Sequence, residues 1–366
     1  MSQPPQTQPD PIYNAALGAF LGACVGDAAG AVLEFYPGQI GTDDVRKAMD
    51  MPGGGIWRVA PGQITDDSEL AMCLAHGLAQ GSSFSAEHIA RQYLRWYQSR
   101  PFDIGNTTRN AVSAPLTPSG EQWVQTRGVA HAMLVSAQDR NMGSKANGSL
   151  MRCTPLAVWG HRLDDHDLAQ HAMVDSRLTH PNESCQHAVA CYVIACAHLI
   201  SGRSDRKGAF EAASAWADQC ANEEVRTWLQ DARQGVEVPF EHLMGFVRIA
   251  FTHAFRHLWL GTSYTDAIEH TLNGGGDTDT NAAIVGGLLG AAEGASAIPA
   301  PMKTAVLQCN TLEGRPRPDF LHPQHVPALV TRLLELAPGS KESSPPPPAS
   351  QSASQPHLPG LDPNPQ

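Results

Sequence analysis

Two short segments of this chain set carboxylates and hydroxyls where a loop turns into a helix. The first is Gly274-Gly275-Gly276-Asp277-Thr278-Asp279-Thr280-Asn281, followed by the small apolar run 282–295. Glycines let the backbone fold closely around a point, and side chains at a loop-to-helix junction converge on it. One reading is a helix N-cap with a spare carboxylate, since Asp and Thr are common there. The second segment, Thr65-Asp66-Asp67-Ser68, carries the same chemistry and also opens a helical run. Asp66, Asp67, Asp277 and Asp279, with the hydroxyls of Thr65 and Thr280, make an all-oxygen ligand set. Hard oxygen donors select Mg²⁺ or Mn²⁺ over Zn²⁺, which prefers nitrogen and sulfur. Crowded carboxylates repel one another, and one divalent ion leaves excess negative charge, so two ions are the sharper reading. Asp279 is the expected bridge between them, with Thr280 beside it on one ion and Asp277 approaching from the other side.

Other candidates are weaker. Pro101-Phe102-Asp103-Ile104-Gly105-Asn106-Thr107-Thr108 is again a carboxylate and glycine loop before a helix, and Asp103 could be only a loop cap. His253 and His257 have the i, i+4 spacing of a zinc pair but lack the intervening Glu of H-E-x-x-H, so they read as core or surface histidines. Asp27, within a Gly/Ala helix, reads as a buried hydrogen-bond acceptor, and Arg152 as a structural ion pair. No Walker sequence, G-x-S-x-G elbow or strand-linked G-x-G-x-x-G is present, which disfavours nucleotide triphosphatase, serine hydrolase and Rossmann readings.

The elements that must position these residues are helical. In 366 residues, alternating strand patterns are nearly absent. The expected fold is all-α, a compact single-domain orthogonal helical bundle with its cleft formed by loops at helix N-termini. Gly18, Gly22, Gly26 and Gly30, each four apart, line one face of a helix that ends near Glu34, and Gly286, Gly290 and Gly294 repeat the spacing. Such a ridge lets backbones approach closely, at roughly 1 kcal/mol of helix propensity per Gly relative to Ala. Asp27 and the missing basic and aromatic anchors argue against reading the run 14–33 as a membrane span. Asp66 and Glu69 stand at capping-box spacing.

A net charge of −11 disfavours nucleic acid and anionic membranes as partners. The eight Cys include no C-x-x-C pair, and Cys185, Cys191 and Cys196 read as reduced core residues. The expected organisation is a flexible arm at 1–11, one domain at 12–337 and a disordered Pro/Ser/Gln-rich tail at 338–366. With no basic leader and no early apolar core, the expected location is cytoplasmic.

In order along the chain come Gly22-x-x-x-Gly26-Asp27 leading to Glu34-Phe35, Thr65 to Ser68, Asp103 to Thr108, Asn147 to Arg152, Thr179-His180-Pro181 and Gly275 to Asn281. This ordered series resembles the ADP-ribosylglycohydrolase family over roughly residues 12–336. The resemblance implies an all-α fold, a binuclear Mg²⁺ or Mn²⁺ centre, and cleavage of the bond joining ADP-ribose to a protein side chain. By motif, Thr65, Asp66, Asp67, Asp277, Asp279 and Thr280 are similar to the metal ligands. Asp103, Glu34 and Asp67 take the catalytic positions. Gly105, Asn147, Gly148, Ser149, Met151 and His180 take the substrate-binding ones. Ser68 stands where many members have Thr. The implied substrate is an ADP-ribosylated protein, with arginine linkage suggested by the Asp103 loop. Serine linkage, O-acyl-ADP-ribose, or an immunity role that blocks a cognate ADP-ribosyltransferase are the alternatives.

Overall fold

A computed structural model describes residues 10–339. Among them are seventeen α-helices and no strand, only two isolated β-bridges, Gly54 with Val59 and Ala146 with Phe246. The fold is all-α, as expected. The helices are α1 Pro11–Gly30, α2 Thr42–Met49, α3 Asp66–Leu78, α4 Ala86–Gln98, α5 Asn106–Val112 and α6 Pro118–Arg127. Next come α7 Val129–Arg140, α8 Thr154–Gly160, α9 Asp165–Arg177, α10 Glu183–Ile200, α11 Arg206–Cys220 and α12 Glu223–Arg233. The last five are α13 Val247–Leu260, α14 Tyr264–Asn273, α15 Thr278–Glu293, α16 Ala300–Leu307 and α17 Val326–Leu336.

The glycine ridge determines the centre of the molecule. α1 and α15 run antiparallel with their backbones in contact. A Cβ on Gly26 would lie 2.1 Å from the Ala282 carbonyl oxygen, and one on Gly290 would lie 2.0 Å from that of Gly18. No side chain fits there, so glycine is required by proximity and its propensity cost is offset by close backbone packing. α1 is long and apolar enough to cross a membrane, yet 72% of its apolar window is buried inside the protein. Around this pair, α10 supplies further core, with Cys185, Cys191 and Cys196 fully buried as reduced thiols.

Two expectations are corrected. Positions 10 and 11, expected within a flexible arm, are ordered: Pro11 is the first residue of α1 and Asp10 caps it, its carboxylate accepting the N–H of Ile12 at 3.0 Å. The remainder of the expected arm, 1–9, and of the expected tail, from 340 onward, lies outside the described residues. The Asp66/Glu69 capping box does not form. Glu69 is buried, and its carboxylate accepts from Arg317 Nε at 2.7 Å and Trp96 Nε1 at 2.6 Å. That demand from the core outweighs a local cap.

Candidate active site

Because α1 and α15 are antiparallel, the end of α1 lies beside the start of α15. Thr278 Oγ1 donates to the Gly30 carbonyl at 2.7 Å, which pins the two ends. Gly275 and Gly276 both have positive φ, 72° and 73°, and this left-handed turn delivers Asp277 to the helix start. α3 is attached by Asp27. Its buried carboxylate accepts the backbone N–H groups of Thr65 and Ser68, each at 3.0 Å. Thr65 does not cap its own helix; Asp27 does so from α1. The hydroxyl of Thr65 lies 2.9 Å from both Asp27 Oδ1 and Asp67 Oδ2, and its one proton can go to either.

The two acidic segments therefore meet. Thr65 Oγ1 is 3.5 Å from Asp279 Oδ2, across 214 positions of sequence. Glu34, Asp277 and Asp279 each place a carboxylate oxygen within 4.8 Å of the others. Burial, reinforced by neighbouring carboxylates, pushes the Asp66, Asp67 and Asp279 carboxyls well above their ordinary range. Glu34 is raised to about 8 by burial and by Asp103 and Asp277. Asp103 is raised to about 6 by burial and Asp277. Asp67 Oδ1 is buried with no hydrogen-bond partner. An orphaned carboxylate oxygen among mutually repelling acids fits a bound cation, and an all-oxygen donor set at two helix N-termini fits a hard divalent one.

These groups border one cleft of about 340 Å³, lined by Glu34, Asp66, Asp103, Asp277, Asp279 and Thr280 on its acidic side. Gly105, Asn147, Gly148, Met151 and His180 line the remainder. Asn147 Nδ2 donates to Asp277 Oδ2 at 2.7 Å and so joins the two sides. Burial pulls His180 down to about 3, so its imidazole is neutral. Thr65 and Asp67 lie behind the lining, both buried. Ser149 departs from its expected place on the cleft wall: it is buried, and Ser176 Oγ donates to its Oγ at 3.0 Å. Arg152 is the structural ion pair anticipated. Its Nε donates to Asp175 Oδ2 at 3.2 Å and its Nη1 to the Gly148 carbonyl at 3.3 Å and Thr179 Oγ1 at 2.9 Å. It thus ties the Asn147 turn to the His180 turn.

Comparison with known proteins agrees with this geometry. The sequence model described as ADP-ribosylglycohydrolase matches residues 8–341. The ADP-ribosyl-[dinitrogen reductase] glycohydrolase of Rhodospirillum rubrum is 30% identical over 292 residues, covering 79% of this chain and 88% of that protein. The chain belongs to the ADP-ribosylglycohydrolase family. A further relative of this glycohydrolase is the ADP-ribosylarginine hydrolase Tri1 of Pseudomonas putida, 29% identical over 304 residues, 80% of this chain and 74% of that one. A solved structure, an ADP-ribosylglycohydrolase-related protein complex, superposes with a TM-score of 0.69 at 27% identity, covering 89% of this chain and 99% of that one.

Sequence reasoning missed part of the cleft of this glycohydrolase. Phe35, Met244 and Gly245 also line it. Phe35 is 46% exposed with φ of 50°, and Phe35 N donates to the Gly276 carbonyl at 3.0 Å. An exposed aromatic in left-handed backbone was invisible in the sequence, where Glu34-Phe35 reads as a helix end. Trp57 was also missed, and its Nε1 donates to Glu34 Oε2.

Proposed function

We propose that this glycohydrolase releases ADP-ribose from arginine side chains of modified proteins. The observation that carries the proposal is the meeting of five carboxylates, Glu34, Asp66, Asp103, Asp277 and Asp279, on the wall of one cleft. The name of the Pseudomonas putida relative, an ADP-ribosylarginine hydrolase, supports the linkage. A guanidinium is planar and cationic, and Glu34 and Asp103, the wall carboxylates outside the metal-ligand set, suit it better than they suit a neutral serine hydroxyl.

Asp66, Asp67, Asp277 and Asp279, with Thr65 and Thr280, would hold two Mg²⁺ or Mn²⁺ ions. Such ions supply a grip for ribose hydroxyls and a Lewis acid that lowers the pKa of water. The chain's own residues do the rest. Hydrolysis breaks the bond from the anomeric carbon to the guanidine nitrogen, places a hydroxyl on that carbon and gives the nitrogen a proton. Asp103 lies on the cleft wall outside the metal-ligand set, and its carboxyl is the group placed to pass that proton. Glu34, held by Trp57 Nε1, faces the same space and orients the ribose hydroxyls. The turns at Gly105 and at Asn147-Gly148, with neutral His180, form the wall for the ADP portion.

The test measures free ADP-ribose released from arginine-, serine- and acyl-linked substrates, with and without EDTA, by wild type and Asp279→Ala. Arginine-linked substrate is expected to turn over, with EDTA abolishing release and Asp279→Ala lowering it about 100-fold or more. Faster turnover of a serine or acyl substrate overturns the arginine assignment. Stoichiometric shielding of the modified protein by both proteins, with no ADP-ribose freed, overturns the hydrolase reading.

A further inference from the structure

His253 and His257 do not stand alone in the core. They lie on α13, and His270 of α14 packs against them. His253 and His257 are 0% and 2% exposed, whereas the His270 side chain keeps 31% of its surface and opens the group to solvent. One ring nitrogen from each histidine lies within 4.8 Å of the other two. We propose that these three imidazoles form a second metal site, for a single transition-metal ion of the Zn²⁺ class, separate from the acidic cleft.

The first argument is the state of the ring nitrogens. His253 Nε2 is 2.7 Å from the Val238 carbonyl, which can only accept, so that nitrogen carries the proton. The ring is fully buried with no carboxylate bonded to it, which favours its neutral form. Nδ1 then bears a lone pair, and it is buried without any partner. A lone pair in that position costs free energy unless something electrophilic meets it. His270 Nε2 lies 2.6 Å from Glu237 Oε1, so it donates there and turns its own Nδ1 lone pair inward. His257 Nε2 is 3.2 Å from that Nδ1, and His257 Nδ1 is 3.2 Å from Thr262 Oγ1. Without metal, His257 Nε2–H donates to His270 and the Thr262 hydroxyl donates to His257. A tautomer switch, with His257 Nδ1–H donating to Thr262, frees the third lone pair.

The second argument is the outer partners. Each ring has its far nitrogen on a carbonyl, a hydroxyl or a carboxylate, the three partner types that orient histidine ligands. Glu237 is held in turn by Arg256 Nη2 at 3.7 Å. The spacing also fits. Zn–N bonds of ~2.0–2.1 Å in a tetrahedron give a nitrogen-to-nitrogen edge of roughly 3.3–3.4 Å. The His257–His270 pair, at 3.2 Å, is close to that edge, and the third nitrogen lies within 4.8 Å of both. Neutral imidazole selects zinc-like ions, not the hard cations suited to the carboxylate cleft. The fourth position faces the solvent side of His270 and takes water.

Such an ion would clamp α13 to α14. Phe240 stacks on His253 with ring centroids 4.0 Å apart, and a Cβ on Gly274 would sit 2.2 Å from that phenyl ring. The clamp therefore lies directly under the glycine turn that presents Asp277.

The experiment uses untagged full-length protein, stripped with EDTA and returned to buffer with excess Mg²⁺, then titrated with Zn²⁺ or Co²⁺. One Zn²⁺ per chain is expected to survive gel filtration in wild type and in Asp279→Asn, and to be lost in His270→Gln and His253→Gln. Co²⁺ is expected to give the intense visible absorption of a tetrahedral nitrogen site in wild type and not in His270→Gln. Equal zinc content in wild type and His270→Gln overturns the proposal, as does no retained zinc. If His253→Gln fails to fold, the half-exposed His270 variant and the wild-type Co²⁺ spectrum decide. A weak octahedral spectrum overturns the site.

Discussion

The carboxylate of Asp27 accepts the backbone N–H of Ser68 at 3.0 Å, so one helix supplies the N-cap of another. That bond, with the matching one to Thr65 N, fixes where α3 begins and hence where Asp66 and Asp67 point. Asp27→Asn keeps the shape and loses the charge. It is expected to cost about 1.5–3 kcal/mol by urea denaturation, the range for hydrogen bonds to a charged group. ADP-ribose release is expected to fall with it. Unchanged stability would show that the cap is dispensable.

Gly26→Ala tests the central packing. The new methyl would meet the Ala282 carbonyl oxygen, 2.1 Å away, and backbone cannot step aside as a flexible side chain can. Overpacking of this kind costs about 1–3 kcal/mol or more. A lowered Tm, with weaker Mg²⁺ stabilisation as α15 moves off α1, is the expected result. Gly143→Ala, with no atom within 4 Å of the added carbon, is the control.

Arg152→Ala removes one member of a buried pair whose side chains are both fully shielded. The stranded Asp175 is expected to cost about 3–5 kcal/mol in chemical denaturation. Because Arg152 also holds the Gly148 carbonyl, KM should rise in the fraction that still folds.

Acid should expose His180. Its folded pKa, about 3, lies below the ordinary 6.5 of the unfolded chain. The unfolded state therefore takes up the proton first. The stabilising contribution is complete above pH 6.5 and is lost as pH falls toward 3, at about 1.4 kcal/mol per pH unit. His180→Gln removes that dependence. The difference in unfolding free energy between wild type and variant should shrink steadily from pH 6.5 to pH 4.5, while the other titrating groups cancel. A constant difference would count against a neutral buried His180.

The acidic cluster and the glycine ridge were legible in the sequence because each repeats a residue type at a short, regular spacing. α2 and α6 leave no apolar stripe to read, because α2 buries only Val45 and Ala48 and α6 only Gly120. His270, Trp57 and Arg317 could not be assigned to the groups they complete, since those contacts depend on which helices touch and no local pattern records that. The failed Glu69 capping box has the same cause: its partner, Arg317, lies 248 positions away.

The pairing of α1 with α15 also has a consequence for biosynthesis. The first helix leaves the ribosome with a bare glycine groove, and its partner is made only after more than two hundred further residues. Contacts so distant in sequence form late and slowly. A chain stalled before Gly275 would therefore present that groove to chaperones and proteases, and would lack Asp277 and Asp279.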